Sequence, residues 1–373
     1  MTDHLRPTMA SVDLDILGEN LATVRAAIPS GTKVLAAVKG DAYGHGAIAC
    51  ARTLEQAGVD WFGVALVEEG RALRRAGIKT PILCLGGAGP SGSAEAIRHE
   101  LTPLIGDVAE ARAFNTAAKE AGVKAGVHIK VDTGMGRLGV PVHLWTHFLD
   151  RMAELENIDV RGIASHLAQS ETPAGEVATT EQIRRFEEAV TAARFRGFEP
   201  ELVHLANSGA IVQHKQATYD MVRPGLLLYG YDPRGAVPQL DVRPIMRVRT
   251  RVLVVRDLPV GVGVSYGGVH QTDRPSRVAT LPVGYADGYP RALSGKAQVL
   301  IHGHRAPVLG RVCMDMCMID VTDVPHHVKT GDEVVLLGQQ GEENISAWEL
   351  AEAAGTIPYE VLTGFSERIP RVS

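Results

Sequence analysis

The sequence predicts an α/β protein in two parts: an N-terminal (β/α)8 TIM-like barrel over residues 12–240, then a mostly antiparallel β domain over residues 241–373. Three observations carry this reading. Residues 30 to 230 repeat one unit, a short apolar run, a turn and an amphipathic stretch at helical spacing. From Arg243 onward the helical spacing stops, and Val-rich runs broken by Gly, Pro and Asp take over. The length of 373 residues leaves room for one barrel of roughly 250 residues and a second domain.

In chain order, the apolar runs place strands at Lys33–Val38, Trp61–Ala65, Pro81–Leu85, Leu101–Ile105, Val127–Val131, Val160–Ser165, Leu202–Leu205 and Tyr219–Val222. Between them, helical spacing marks Ala47–Ala57, Glu68–Ala76, Val108–Ala121, Leu144–Leu155 and Thr180–Ala193. Strands separated by helices imply parallel crossovers, whose strands are buried on both faces and read as unbroken apolar text. Eight such units close into a barrel, whereas a doubly wound open sheet of that many strands becomes very wide. The turn-rich segment Tyr231–Gln239 is the expected junction, and residues 1–11 are expected to join the second domain.

Composition narrows the function. Lys and Arg number 38 against 43 Asp and Glu, a net charge of −5, without the basic footprint of a nucleic-acid binder. Hydrophobic residues at 45% and charged residues at 22% fit a packed globular chain. No apolar run approaches the roughly 18 residues of a membrane helix. The start, M-T-D-H-L-R-P-T-M-A, has no apolar secretory core, so a cytoplasmic protein without membrane or nucleic-acid partners is expected. The four cysteines, Cys50, Cys84, Cys313 and Cys317, are too few and scattered for a disulfide scaffold or a metal site.

A barrel of this kind carries its chemistry at the C-terminal ends of its strands. There the sequence offers Lys39, Asp41, Tyr43 and His45 after the first strand, Asp132 and Arg137 after the fifth, and His166 after the sixth. Asn207, Ser208 and Gly209 follow the seventh strand, and Arg223, Pro224 and Gly225 follow the eighth. Loops after strands seven and eight are a frequent phosphate site, although N-S-G and R-P-G are also ordinary turn text. Lys39 ends a buried run of Ala36, Ala37 and Val38, so desolvation lowers its pKa and frees the amine for Schiff-base chemistry. A lone strand-end lysine more often snorkels to water. Lysine together with a phosphate cradle is what pyridoxal phosphate requires.

Other motifs read more plainly. G-A-G-P-S-G (Gly87–Gly92) matches the dinucleotide-binding template, with Asp107 further on, but Pro90 and the serines give it a surface-loop composition. His302, His304, His326 and His327 lie in turns, and Arg247, Arg249 and Arg251 alternate along a half-exposed strand. Asn344–Ser346 is a glycosylation sequon without a secretory context.

V-K-G-D-A-Y-G-H-G (Val38–Gly46) resembles the cofactor-lysine signature of alanine racemases, and the likeness runs over nearly the whole chain. It includes K-V-D-T-G-M-G-R-L-G (Lys130–Gly139), S-H-L-A (Ser165–Ala168), H-L-A-N-S (His204–Ser208) and R-P-G-L-L-L-Y-G (Arg223–Gly230). In the second domain it includes V-S-Y-G (Val264–Gly267), G-Y-A-D-G-Y-P-R (Gly284–Arg291), G-R-V-C-M-D-M-C-M-I-D (Gly310–Asp320) and I-P-Y-E (Ile357–Glu360). The resemblance implies interconversion of L- and D-alanine on pyridoxal 5′-phosphate by a homodimer with shared sites, supplying D-alanine for cell-wall precursors. It implies that Lys39 holds the cofactor and acts on the D-enantiomer, while Tyr266 of the partner subunit acts on the L-enantiomer. Arg137 and the backbone at Met314 would hold the substrate carboxylate. Tyr43, Ser208, Gly225, Leu226 and Tyr359 would surround the phosphate, Arg223 would face the pyridine nitrogen with His166 beside it, and Asn207 would also bind the cofactor. Asp315 and Tyr285 would support the site from behind. Family members often carry a carbamylated lysine at the position of Lys130, and the resemblance leaves that modification open.

The chemistry agrees with these roles. Racemisation removes a proton from one face and returns it on the other, which two bases do more economically than one. A tyrosine with its usual pKa near 10 needs cationic or hydrogen-bonding neighbours, such as His166 and Arg223, to serve as a base. An arginine opposite the pyridine nitrogen keeps its proton and so weakens the electron sink. Three readings compete: a racemase that also takes serine, a pyridoxal-phosphate carrier, and a decarboxylase of similar layout. The carrier has no use for Tyr266 and Met314, and the decarboxylase would need an acid where Arg223 stands.

Overall fold

The computed structural model describes residues 6–235 and 238–373. The chain divides into two compact units: Asp15–Ala42 with Ala47–Arg243, and the chain up to Leu14 with Tyr43–Gly46 and Pro244–Ser373. The expected junction Tyr231–Gln239 includes Ala236 and Val237, which lie outside the described residues.

In the first unit, eight parallel strands run Lys33–Ala37, Trp61–Val64, Ile82–Cys84, Leu101–Ile105, Ala125–Asp132, Ile158–Ala164, Leu202–His204 and Met221–Val222. They pair in sequence order, with the eighth beside the first. A parallel bridge between Asn207 and Arg223 brings the seventh and eighth strands' ends together, so the barrel is nearly closed. Leu35, Leu83, Leu104, Ala164, Leu202 and Met221 form one buried cluster inside it. Inward and outward positions are both apolar, as strands covered by helices require. The eighth strand is shorter than the apolar run suggests, because Tyr219 adopts φ +43°, outside the extended region.

The helices expected between strands are present as Ala47–Gln56, Val67–Arg75, Val108–Glu120, Trp145–Met152 and Glu176–Phe195. Leu14–Ala26 and Gly89–Arg98 are additional. The latter corrects the surface-loop reading of Gly87–Gly92, since Pro90 sits in the first turn of the helix, where its missing N–H is no loss. The Glu110 carboxylate accepts the Ala88 and Gly89 N–H groups at 2.9 and 3.0 Å. The amides a pyrophosphate would need are therefore already taken by an anion.

The second unit is built on a sheet that is antiparallel except at one edge. Its order is Val254–Leu258, Ser276–Leu281, Cys317–Asp320, His304–Leu309, Gln298–Ile301, Glu333–Gln340, Met246–Arg251, Met9–Val12 and Arg371–Val372. The last pair is parallel. Arg247 and Arg249 alternate outward and pair with Glu333 at 2.7 and 3.1 Å. Two helices, Ala347–Ala354 and Pro358–Gly364, close the chain. Ser346, read in the sequence only as part of a sequon, caps the first by accepting the Glu349 N–H at 3.1 Å. No helix among the described residues is long and apolar enough to cross a membrane.

Candidate active site

Lys39 follows the first barrel strand, where the chain makes a left-handed helical turn. Gly40, Asp41, Ala42 and Tyr43 have φ between +53° and +60°, and Gly44 has φ +83°. L-residues pay about 1–2 kcal/mol each for this conformation, so something must hold it. The Gly40 N–H donates to Glu69 at 2.7 Å, and the Asp41 carboxylate accepts the Ala47 N–H at 2.7 Å. In the second unit, Gly44 lies against the Leu362 carbonyl so closely that a Cβ would come within 2.2 Å of it. The turn leaves Lys39 half-buried, and burial lowers its pKa. The positive charges of Arg137 and Arg223 add to this effect, opposed by Glu69.

Arg223 organises the barrel end. Its Nη2 donates to the Ser165 and Leu205 carbonyls at 2.7 and 2.9 Å and lies 3.2 Å from His166 Nδ1. Its Nη1 donates to His204 Nδ1 at 2.9 Å. Burial pushes the guanidinium down to about 10, which leaves it charged at neutral pH. Because arginine only donates, His204 Nδ1 must accept, and its proton sits on Nε2. That nitrogen lies 2.8 Å from His128 Nδ1, which must therefore accept as well. His128 carries its own proton on Nε2, buried without a partner among the described residues. Burial, and then the Arg223 charge, hold His204 and His166 well below the usual imidazole range and push His128 down to about 3. His166 is thus a neutral, hydrogen-bonding neighbour rather than a cationic one.

Arg137 rides on a loop tied down by Asp132, whose carboxylate accepts the N–H groups of Gly134, Met135 and Gly136 at 2.8–3.2 Å. Asp132, a candidate for chemistry in the sequence, is thereby committed to the loop. Arg137 itself is exposed and has no ion pair among the described residues. It lines one pocket with Leu104, Glu110, Lys130 and Gly139. Burial and the charges of Arg223 and Arg137 push the Lys130 amine down to about 8.

The loops after the seventh and eighth strands meet directly. Ser208 is buried, and its Oγ accepts the Gly225 N–H at 2.9 Å. Asn207 caps the helix Ser208–Gln213 by accepting the Ala210 N–H at 3.1 Å, and it accepts the Ser170 hydroxyl at 2.8 Å. Leu226 opens a short 3-10 turn just beyond Gly225.

The second unit contributes a different kind of surface. Tyr266 lies in the loop of a tight hairpin, Gly263–Val264 paired with His270–Gln271, and is 70% exposed. Met314 is 53% exposed, on a segment interlocked with Tyr285: the Tyr285 and Ala286 N–H groups donate to the Cys313 and Met314 carbonyls, each at 3.0 Å. Asp315 pairs with Arg368 at 2.8 Å, and Arg368 lies 3.3 Å from the fully buried Asp287. Tyr43 and Tyr359 face each other with ring centroids 6.0 Å apart.

The chain is similar to known proteins over nearly its whole length. Residues 12–233 match the model of the alanine racemase N-terminal domain, and residues 245–373 match that of the alanine racemase C-terminal domain. The chain belongs to the alanine racemase family. An alanine racemase of Halothermothrix orenii is 43% identical over 98% of this chain and 96% of its own length. The alanine racemase of Bacillus anthracis, solved with bound L-Ala-P, superposes with a TM-score of 0.92 at 33% identity, over 100% of this chain and 96% of that one. That of Bartonella henselae, solved with covalently bound pyridoxal phosphate, gives 0.89 at 31% identity, over 98% and 99%.

Three further residues shape the site: His128, His204 and Gln182. In the sequence, His204 stands within H-L-A-N-S and His128 inside the apolar run Val127–Val131. Gln182 donates to the His166 carbonyl at 3.0 Å and accepts the Ala168 N–H at 2.9 Å, fixing the loop that carries His166. A signal was present: a histidine at an inward position of a fully buried strand needs a polar partner. No group of three or more His, Cys, Asp or Glu side chains among the described residues is placed to hold a metal ion.

Proposed function

We propose that this chain is an alanine racemase, interconverting L- and D-alanine with pyridoxal 5′-phosphate, and that it works as a cytoplasmic homodimer supplying D-alanine for cell-wall precursors. The cofactor-binding domain in this reading spans residues 12–240, and residues 241–373 with the N-terminal segment form the second domain. The observation that carries the reading is the donor set at the barrel end: a lysine whose amine is biased toward neutrality, a buried arginine that keeps its charge, and a buried serine–glycine contact at the start of a helix.

That set fits pyridoxal phosphate. Lys39 offers an amine to an aldehyde, Arg223 offers N–H donors beside a ring nitrogen, and the Ser208 hydroxyl, whose oxygen accepts the Gly225 N–H, keeps its own proton to donate to a phosphate beside Gly225 and Leu226. Tyr43 and Tyr359 complete that surround, and Asn207 also binds the cofactor. When bound, the cofactor withdraws electrons from an attached amino acid and makes its α-proton acidic. Lys39 takes or returns that proton at Nζ for the D-enantiomer, and the Tyr266 phenol oxygen does so for the L-enantiomer. Arg137 and the backbone at Met314 hold the carboxylate, with Tyr285 and Asp315 fixing the Met314 segment. Arg223 keeps its proton and limits how far electrons are drawn away, which favours return of the α-proton over side reactions. A carbamate on Lys130 would place a negative charge beside Arg137, and the lowered amine pKa makes that nitrogen reactive near neutral pH.

The exposure of Tyr266 supports a site completed across subunits. The test mixes an inactive Lys39→Ala chain with an inactive Tyr266→Phe chain. Activity should return, because one class of mixed site carries both native residues. Mixed dimers demonstrated by mass spectrometry without recovered activity would reject the sharing.

A further inference from the structure

We propose that Ser265 is the positioning residue for the Tyr266 phenol, a serine kept by its own hydroxyl in a backbone conformation that otherwise belongs to glycine. The inference rests on the reading of Tyr266 as a proton-transfer residue. Ser265 has φ +68° and ψ −176°. This region is essentially closed to residues with a Cβ, and side chains held there cluster at functional sites. The same loop uses glycine at its other left-handed positions, Gly267 at φ +76° and Gly268 at φ +54°. A serine at the strained position therefore needs a reason that glycine could not supply.

The reason is the hydroxyl. Ser265 Oγ donates to the Arg311 carbonyl at 2.6 Å and lies 3.4 Å from Cys313 Sγ. With its proton committed to Arg311, the oxygen has lone pairs free to accept the thiol. The backbone packing enforces this approach. Gly310 has φ +60°, and a Cβ there would lie 2.5 Å from the Val264 carbonyl oxygen and 3.0 Å from Ser265 Cβ.

Two consequences follow from the geometry. The hairpin has only two residue pairs, Gly263 with Gln271 and Val264 with His270, too short a ladder to fix its own loop. The hydroxyl supplies a third tether beyond the ladder, one residue from the phenol. The tether also runs to the segment Arg311–Cys313, which continues directly into Met314. Ser265 thus links the carrier of the phenol to the carrier of the carboxylate-binding backbone within a single unit.

A merely structural serine and a positioning serine differ in what Ser265→Gly does. Glycine relieves the strain while removing the tether, so thermal stability should be kept or raised. Solvent exchange of the L-alanine α-proton should fall about tenfold while D-alanine exchange stays within about twofold, since small misplacements of a reacting group are costly. In protein labelled with 3-fluorotyrosine, the Tyr266 fluorine resonance, assigned by its loss in Tyr266→Phe, should broaden. Ser265→Ala, which keeps the strain and loses the tether, should melt below Ser265→Gly. Equal loss of both exchange reactions in Ser265→Gly, or unchanged exchange with an equally sharp resonance, overturns the proposal. Tyr266→Phe run alongside separates the two levels: if it leaves L-alanine exchange intact, the base assignment fails and Ser265 with it. If it suppresses that exchange while Ser265→Gly does not, only the Ser265 inference fails.

Discussion

The barrel end and the hairpin loop hold their functional side chains by opposite means. At the barrel end, Arg223, His204 and His128 are 7%, 0% and 0% exposed, and each is fixed by hydrogen bonds to groups that are themselves buried. Their placement depends on low dielectric and on a directional chain of hydrogen bonds from Arg223 through His204 to His128, which makes the cluster rigid and costly to disturb. At the hairpin and the segment it is tethered to, Tyr266 and Met314 are largely exposed; strain at Ser265 positions the first and close backbone packing at Gly284 the second. A side chain held by packing resists substitution through stability. One held by loop geometry can be replaced with little effect on folding and a large effect on chemistry.

The largest effect expected is at Lys39, where both kinds of loss coincide. Lys39→Ala removes the cofactor's attachment point and one of two bases, so activity should fall by upwards of about 10⁴-fold. The wild-type protein should be yellow, and borohydride should bleach it while fixing the cofactor to a peptide containing Lys39. A label on any other peptide breaks the assignment. Tyr266→Phe sharpens the comparison from the exposed side. Exchange of the L-alanine α-proton should drop roughly 10²–10⁴-fold with D-alanine exchange comparatively intact. Its melting temperature should lie close to the wild type, since the substitution removes only the hydroxyl and keeps the ring. Equal loss on both enantiomers would reject two bases.

The same contrast explains what could be read in the amino-acid order. All eight barrel strands were visible because parallel strands covered on both faces leave unbroken apolar text, which turns and helices rarely mimic. The residues at their C-terminal ends followed from that alignment alone. Three kinds of feature were not visible. The helix Gly89–Arg98 begins in glycine, proline and serine, and its cap comes from Glu110, remote in sequence. The left-handed turn after Lys39 and the strained Ser265 are backbone states that tertiary contacts impose on residues with other local preferences. The buried histidines lie inside apolar runs, where pattern alone assigns them to the core. They are in the core, but His204 bonds the charged Arg223 directly and His128 bonds His204.

The smallest effect, and the most specific to the barrel side, concerns pH. His128, His166 and His204 are held neutral in the fold, whereas in the unfolded chain each binds a proton below about pH 6.5. The unfolded state therefore takes up more protons as pH falls, and stability must decline below that value, by at most about 1.4 kcal/mol per pH unit for each histidine. For His128 the decline continues down to its folded value of about 3. His128→Phe leaves the His204 Nε2–H without its acceptor and should lower stability at pH 7 by about 1–3 kcal/mol. It also removes one histidine from the pH slope. The denaturation curves of wild type and variant, measured from pH 7 to pH 4.5, should consequently converge as the wild type loses what the variant no longer has to lose. Parallel curves would mean that His128 is already protonated in the fold, which would reverse the tautomer chain and detach it from Arg223.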